Sequence, residues 1–270
     1  MPSRVLAWIT DFGTSDHYVG TMKGVALSIT PDLTLVDITH DVAPQDVLGG
    51  ALELLAAHRF FPSGTIFVAV VDPGVGSSRK AIAAATGGFT FVGPDNGLLA
   101  PVLESLGSPT IVELSEPRFA LPAVSRTFEG RDRFAPAAAW LARGTPLADL
   151  GRPLTALTPL LIPAPQASPT QLCGEVLRVD RFGNAVTNIS RRALTSWSGG
   201  APVCVDVGAF TGVGLVETYA DVQPGAVCAL LSSSDHLELA VARGDAAAAL
   251  GLSRGSPVTV RRATAGLQPA

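Results

Sequence analysis

Short polar side chains follow several apolar, strand-like runs of this 270-residue chain, each beside glycine or proline. Five segments share this pattern: Ile9–Gly13, Val70–Gly76, Gly93–Gly97, Gly130–Asp132 and Val179–Asn184. In open α/β sheets, carboxylates and glycines gathered at the ends of strands form a ligand crevice. The pattern therefore predicts a binding site in loops at the edge of such a sheet.

Asp11 directly follows the first apolar run and precedes Phe12-Gly13. A carboxylate at a strand end can accept hydrogen bonds from both hydroxyl groups of a ribose, as acids do in nucleotide sites. The alternative is a local role, in which Asp11 forms a turn and Thr14, Ser15 or Asp16 caps the next helix. We predict that Asp11 contacts a ligand.

Asp72 and Arg79 lie seven residues apart across a glycine-containing loop. This is not a phosphate-binding loop, because Arg79-Lys80 leads into the β-like or irregular run Ala81–Ala85 and no Gly-Lys-Ser/Thr sequence opens a helix. The acid and the guanidinium can instead fold back and pair. Such a pair is either functional, at the carboxyl edge of the sheet, or a surface ion pair worth about 0–1 kcal/mol.

Glu129 and Asp132 precede a helical pattern, Phe134–Arg143. Asp132 is predicted to cap this helix, and Glu129 can be simply solvated.

Asp180 and Asn184 bracket Phe182 in a glycine-containing segment near the middle of the chain. An exposed phenylalanine could stack on a purine while the asparagine pairs with the edge of the base. The alternative is a hairpin turn, since aspartate, glycine and asparagine all favour turns.

The histidines and cysteines do not predict a metal site. The four histidines, His17, His40, His58 and His236, lack metal-ligand spacing, and solvated or capping roles are expected for them. The three cysteines, Cys173, Cys204 and Cys228, sit in β-like apolar runs and are predicted to be reduced core residues.

Strand and helix patterns alternate through the first 150 or so residues, which predicts a layered, mostly parallel α/β sheet. The predicted strands are Val5–Thr10, Thr34–Thr39, Thr65–Val71, Phe89–Val92 and Thr110–Leu114. The predicted helices are Tyr18–Ile29, Val47–Arg59 with Asp46 as its cap, and Phe134–Arg143, which ends at Gly144.

A proline-rich stretch, Thr158–Thr170, then reads as a stiff linker between two domains, predicted at residues 1–163 and 171–264. Beyond it, short β-like runs separated by glycine turns predict a small antiparallel barrel or sandwich in which only Asp245–Leu250 is helical. These runs are Gly174–Asp180, Val203–Val207, Gly214–Thr218, Val227–Leu231, Leu237–Val241 and Pro257–Arg261.

Composition narrows the function classes. A formal charge of −4 gives no basic surface for nucleic acid. No apolar run approaches the roughly 20 residues that span a bilayer, and the first apolar run is too short for a signal-peptide core, so we expect a cytoplasmic protein.

Six ordered motifs of this chain resemble the S-adenosyl-L-methionine (SAM) hydroxide adenosyltransferases, which are adenosine-forming SAM hydrolases related to the fluorinating and chlorinating SAM enzymes. The motifs are Ile9–Thr14, Val36–His40, Arg59–Pro62, Val71–Gly76, Gly93–Leu99 and Asp180–Ile189. The resemblance implies an N-terminal α/β domain, a C-terminal β-barrel, and a homotrimer with active sites between one subunit's first domain and a neighbour's second. It also implies attack of water or hydroxide on carbon 5′ of SAM, with methionine as leaving group and no metal or cofactor.

The resemblance implies a role for individual residues. Asp72 and Arg79 would hold the attacking water, and Asp11 would bind the ribose hydroxyls. The remaining substrate-binding assignments are Asp16 and Ser233 for the methionine part, Asp180 for its amino group, Phe182, Asn184 and the backbone near Val241–Arg243 for adenine, and Gly130 and Glu238 as further contacts.

Two positions favour water over halide. The halogenating relatives place tyrosine where this chain has Asp72, and the fluorinating ones have serine where it has Gly130. Two others depart from the relatives: Glu129 replaces the histidine of the hydrolase pattern, and Gln45 replaces a tryptophan of the halogenating enzymes. We expect Glu129 to accept a hydrogen bond from the water or from Arg79 and to serve as a base.

Three rival functions differ in class. A halogenating SAM enzyme is the nearest, and a non-catalytic module that binds SAM or adenosine is the second, with Glu129 as its best sequence hint. A Rossmann-type methyltransferase is disfavoured because no glycine-rich loop follows the first strand.

Overall fold

The computed structural model describes residues 4–263 and divides into two compact units, Met1–Leu161 and Ile162–Ala270. The predicted domain bounds, 1–163 and 171–264, stay predictions, and their outer residues 1 and 264 lie outside the described part of the chain.

The first unit is an α/β sheet of seven strands in the order β2-β1-β3-β5-β4-β6-β7. Its elements are β1 (Arg4–Thr10), α1 (Tyr18–Ile29), β2 (Leu33–Thr39), α2 (Val47–Ala57), β3 (Ile66–Val70), β4 (Ala81–Thr86), β5 (Phe89–Pro94), α3 (Ala100–Leu106), β6 (Thr110–Glu113), α4 (Ala135–Arg143) and β7 (Pro153–Leu154). Strands β2, β1, β3 and β5 are parallel, whereas β5, β4, β6 and β7 pair antiparallel.

Alternation along β1 builds a core on each face of this sheet. Leu6 and Trp8 pack in one cluster with residues of α1 and α4. Ala7 and Ile9 pack in another with residues of α2 and α3. Because both faces are covered, the central strands are continuous apolar runs, and the polar loops emerge only at their ends.

Most predicted elements of this unit are confirmed, with three corrections. Helix α1 has the predicted bounds, and Asp46 caps α2 by accepting a hydrogen bond from the Gly49 N–H at 3.0 Å. Helix α2 ends at Ala57 rather than Arg59, helix α3 was missed, and Ala81–Thr86 is a regular strand paired with β5 and β6. Helix α3 has Pro101 in its first turn, where proline is compatible with a helix.

The second unit is a closed barrel of seven strands. Its elements are β8 (Gln166–Ala167), β9 (Gln171–Val179), β10 (Ala185–Ser190), α5 (Arg191–Ser198), β11 (Val203–Val207), β12 (Phe210–Val216), β13 (Val227–Leu231), β14 (His236–Val241), α6 (Ala246–Leu250) and β15 (Pro257–Arg262). The order β10-β14-β13-β12-β11-β15-β9 closes through pairing of β9 with β10, and β8 adds to β9 outside the ring. All ring pairs are antiparallel except β12 with β13.

The sequence reading of this unit missed β10 and was wrong that Asp245–Leu250 is its only helix. Helix α5 begins where the Ser190 hydroxyl accepts a hydrogen bond from the Ala193 N–H at 3.1 Å, and it ends at Gly199 in a left-handed conformation. Both are ordinary helix-end signals. They were overlooked because α5 follows β10 with no loop between them.

The loop after β3 is fixed against the chain that precedes α4. Gly76 has φ +78°, and a Cβ built there would lie 2.5 Å from the Arg126 carbonyl oxygen. The Arg126 Nη2 in turn donates a hydrogen bond to the Gly76 carbonyl at 2.9 Å. The two segments that carry Asp72 and Glu129 are therefore held together by backbone contact at a glycine.

We expect Gly76→Ala to destabilise the protein more than Gly64→Ala. Both glycines have positive φ, so each substitution costs about 1–2 kcal/mol of conformational strain. Only Gly76 has a backbone atom in the way, because nothing lies within 4 Å of a Cβ at Gly64. Thermal melts of the two variants measure the difference, and equal losses of Tm would show that this backbone contact is not tight.

Candidate active site

Asp72 and Arg79 form a buried ion pair at the end of β3. The Arg79 Nε lies 2.9 Å from Asp72 Oδ1 and 3.0 Å from Oδ2, and its Nη2 also donates to Oδ2. The side chains are 5% and 10% exposed, respectively. The predicted pairing is confirmed, and the surface alternative is wrong because both charged groups are largely withdrawn from water.

Glu129 joins this pair at the same guanidinium nitrogen, Nη2. Its Oε2 lies 2.6 Å from Arg79 Nη2, and its side chain is 14% exposed, so the solvated alternative for Glu129 is wrong. The contact is a charge pair only, because this buried Oε2 has no donor aligned on it. Burial alone would lower the pKa of Arg79, but hydrogen bonding to Asp72 and the charges of Asp72 and Glu129 outweigh it and raise that pKa. Arg79 therefore bridges two carboxylates.

A short π-helix, Gly130–Phe134, begins directly after Glu129 and leads into α4. Such wide turns are rare and are frequent at functional sites. Asp132 does not cap α4, contrary to the prediction: it is fully buried and accepts a hydrogen bond from the Ser125 N–H at 2.6 Å and one from Arg131 Nε at 2.5 Å. Gly130 is also buried, and a Cβ there would lie 3.0 Å from the Met22 sulfur.

Asp11 lies half-buried at the end of β1, where its Oδ2 accepts a hydrogen bond from the Gln45 N–H at 2.7 Å. The Thr10 hydroxyl accepts from the Phe12 N–H at 3.2 Å and shares a 2.8 Å hydrogen bond with His40 Nδ1. His40 is 5% exposed, so the expectation that it is solvated or capping is wrong. This network fixes the backbone on both sides of Asp11.

The residues between Asp11 and α1 do not cap the helix. The cap position is His17, which makes no side-chain capping bond, so the capping alternative for Thr14, Ser15 or Asp16 is wrong. Asp16 is exposed, and its contact with a ligand stays a prediction.

The segment Gly93–Gly97 supports the loop after β3 rather than adding a carboxylate beside Asp72. The Asn96 Nδ2 donates a hydrogen bond to the Val71 carbonyl at 2.8 Å. Asp95 accepts one from the Thr158 N–H at 2.8 Å.

An aromatic group that the sequence reading missed lies beside Glu129. The rings of Phe12, Tyr18 and Phe128 meet edge to face, with centroids 5.1–6.1 Å apart. Tyr18 is 41% exposed, whereas Phe128 is buried. These rings form an apolar surface beside Glu129. The three residues are not adjacent in the sequence, so no local sequence pattern predicts that they meet.

The second unit carries a cavity of about 590 Å³. All six binding residues predicted in this unit line it: Asp180, Phe182, Asn184, Ser233, Glu238 and Val241. Arg243, at the end of the predicted adenine-binding segment Val241–Arg243, also lines it, whereas the other lining residues were not predicted: Arg178, Val186, Tyr219, Ser234 and Gly244. Ligand binding by the predicted residues stays a prediction, but all of the lining residues share one concave surface.

The turn between β9 and β10 is one wall of this cavity. Asp180 Oδ1 accepts hydrogen bonds from the N–H groups of Phe182 at 2.8 Å and Asn184 at 2.9 Å. The turn-forming alternative is thereby confirmed for Asp180, and it does not exclude binding, because Phe182 remains 77% exposed. A large exposed ring held on a tight turn is available to stack on a planar ligand.

Glu238 lies on the outer face of the barrel, in a cross-strand row with Arg178, Val186 and Leu230. It is 3% exposed, and its Oε1 accepts a hydrogen bond from the Tyr219 hydroxyl at 2.6 Å. Burial raises the pKa of Glu238, with a further contribution from the charge of Asp180. Burial and the neighbouring Glu238 also raise the pKa of Tyr219, so this hydroxyl remains a donor.

Among residues 4–263, no group of three or more histidine, cysteine, aspartate or glutamate side chains could hold a metal ion. No helix in the same range is long and apolar enough to cross a bilayer.

We expect Glu238→Gln to stabilise the protein at neutral pH. A carboxyl group whose folded-state pKa is raised favours folding below its ordinary value of 4.5, and this contribution is lost as the pH rises through the folded-state pKa. The neutral amide avoids that loss, so the variant should have the higher Tm at pH 7, by about 2–4 °C per kcal/mol relieved. The gain should shrink towards pH 4.

Glu217→Gln is the matched control, because Glu217 is exposed in the same unit. Melting curves between pH 4 and pH 8 provide the comparison. A Tm difference for Glu238→Gln that does not change with pH would disconnect it from the ionisation of Glu238.

Family models for the SAM hydroxide adenosyltransferase N-terminal domain and C-terminal domain match residues 6–151 and 174–259. A (R)-S-adenosyl-L-methionine hydrolase of Thermus thermophilus is 41% identical over 94% of this chain and 98% of its own. One from Salinispora tropica is 39% identical over 96% of this chain and 98% of its own. A fluorinase of Actinoplanes is 32% identical over 96% and 98%.

A solved structure agrees with these sequence relationships. An uncharacterized conserved protein from Thermotoga maritima superimposes with a TM-score of 0.90 at 37% identity, covering 95% of this chain and all of its own. Matches to both domain models in the order of the two units, together with relatives above 30% identity over nearly the whole chain, show that this chain belongs to the SAM hydroxide adenosyltransferase family.

Proposed function

We propose that this protein hydrolyses SAM to adenosine and L-methionine by attack of water on carbon 5′ of the ribose. The observation that carries the proposal is the buried cluster of Asp72, Arg79 and Glu129, in a chain whose relatives include enzymes named as SAM hydrolases. The water oxygen bonds to carbon 5′, and the C5′–S bond breaks with its electron pair going to sulfur. One proton of the water passes to a carboxylate.

The chemistry places modest demands on the protein. The leaving group is a neutral thioether because the sulfonium already carries the positive charge, so no metal or cofactor is invoked. The protein has to hold one water in line with the C5′–S bond and to exclude bulk solvent.

The cluster divides this work between its two carboxylates. Both oxygens of Asp72 accept hydrogen bonds from Arg79, so Asp72 orients the guanidinium and holds the water through it. Glu129 has the freer lone pairs, because its Oε2 has a charge partner but no aligned donor. In this proposal Glu129 accepts the proton, with a typical contribution of 10²–10⁴ in rate for a positioned base.

Substrate recognition is divided between the two units. Asp11 binds the ribose hydroxyls, Asp16 and Ser233 contact the methionine part, and Asp180 pairs with its amino group. Adenine stacks on Phe182 and pairs with Asn184. Gly130, Glu238 and Val241 complete the proposed contacts, and the exposure of Phe182 together with the burial of Asn184 at 7% supports the adenine site.

The assembly is part of the proposal. We propose a cytoplasmic homotrimer in which the first domain of one copy and the second domain of a neighbour complete each site. The motif resemblance supports this arrangement.

Halide transfer is the second candidate, since a fluorinase is 32% identical to this chain. A halide at the nucleophile position would face Asp72 and Glu129, both anionic, with Arg79 already committed to them. Electrostatics therefore favours water. A protein that binds SAM without hydrolysing it is the third candidate, and the experiment described next distinguishes it from the other two.

Purified protein incubated with SAM in oxygen-18 water should release methionine and adenosine labelled in the 5′-hydroxyl. Mass analysis of the products gives the answer, and a parallel reaction with chloride is expected to show no 5′-chloro-5′-deoxyadenosine. Chlorinated product would favour the halogenase, and tight SAM binding without methionine release over hours would favour the binding module.

Glu129→Ala should lower kcat by about 10²-fold or more while KM for SAM changes little, because the base acts in the transition state. Glu104→Ala, at an exposed acid of the same unit, is the control and should match the parent. An alanine variant at position 129 as fast as the parent would remove Glu129 from the mechanism.

A further inference from the structure

The cluster of Asp72, Arg79 and Glu129 is not electrically balanced by itself. Its two carboxylates have side chains only 5% and 14% exposed, and a single guanidinium lies between them. An uncompensated charge withdrawn from water is strongly unfavourable. A second cation beside one of the carboxylates would offset the remaining charge.

Arg133 is that cation. Its Nε lies 3.6 Å from Glu129 Oε1, on the side of the carboxylate away from Arg79. Its Nη1 donates a hydrogen bond of 2.9 Å to the Leu114 carbonyl, just after β6. This hydrogen bond anchors the Arg133 guanidinium to the end of β6, so the side chain is held beside Glu129 rather than extended into solvent.

The neighbouring Arg131 cannot serve instead. It is paired with Asp132, and its guanidinium lies 5.1 Å from the centre of the Phe128 ring. The Arg133 Nε, by contrast, is buried without a hydrogen-bond acceptor, and Glu129 is the acid it faces. If the hydrogen bond to the Leu114 carbonyl were the only contact that positions Arg133, the burial of its Nε beside a carboxylate would be unexplained.

We infer that Arg133 is a positioning residue that makes the site a balanced set of two carboxylates and two guanidiniums, and thereby offsets the buried charge of Glu129 and orients this carboxylate towards the water. The charged groups around Glu129 are Arg79 from the loop after β3, Arg133 from the π-helix, and Asp72, which contacts the same Arg79 Nη2. The catalytic consequence rests on the proposed function, whereas the charge pairing does not.

The kinetic test compares Arg133→Met with Arg133→Lys and with Arg143→Met, which removes an exposed arginine at the far end of α4. We expect Arg133→Met to lower kcat about tenfold with little change in KM, as coupled charges do. Arg133→Lys should restore most of the activity, and Arg143→Met should match the parent.

A double-mutant cycle distinguishes pairing with Glu129 from a structural role. In the Glu129→Gln background, Arg133→Met should have no further effect on kcat. A tenfold loss in both backgrounds, or no loss in either, would overturn the inference.

The same cycle followed by thermal melts needs no activity, so it separates this inference from the proposed function. Arg133→Met should lower Tm by roughly 3–8 °C in the parent and much less in the Glu129→Gln background. If the parent does not hydrolyse SAM, the proposed function fails while this coupling persists. Equal Tm losses in both backgrounds would overturn the pairing itself, and Arg133→Lys provides the folded comparison if the methionine variant is unstable.

Discussion

The Arg79 guanidinium, shared between Asp72 and Glu129, is the interaction on which the site depends. The two acids come from loops more than fifty positions apart, after β3 and before the π-helix, and like charges this close repel. A single guanidinium can hold both, because it donates hydrogen bonds to Asp72 and pairs by charge with Glu129. Without it, the two like charges would have no cation between them.

The backbone around this interaction is fixed by contacts that tolerate little change. Gly76 meets the Arg126 carbonyl where a side chain would collide, and Asn96 holds the Val71 carbonyl beside Asp72. Asp132 is buried to anchor the chain at Ser125. These are neutral or locally satisfied contacts, so they hold the loops without adding net charge to the site.

The sequence predicted the parts of the site that are local. Asp72 and Arg79 lie in one glycine loop, and the turn at Asp180 follows from its residue types, so both could be recognised without a structure. The place of Glu129 does not follow from its local residue types, because it depends on the π-helix and on a loop far away in the chain, and only the family resemblance predicted it. The pair of Tyr219 and Glu238 depends on the barrel register, which the missed strand β10 sets.

Charge balance also bears on how a site of this kind could favour the reaction over mere binding. SAM carries its positive charge on sulfur, and that charge disappears as the C5′–S bond breaks. Bare carboxylates beside it would stabilise the reactant more than the transition state and so would slow the reaction. In the proposed mechanism, pairing of Asp72 and Glu129 with Arg79 and Arg133 leaves little net negative charge facing the sulfonium, while Glu129 remains an acceptor for the water. Guanidiniums paired with carboxylates can therefore serve the departure of a cationic leaving group better than the carboxylates alone.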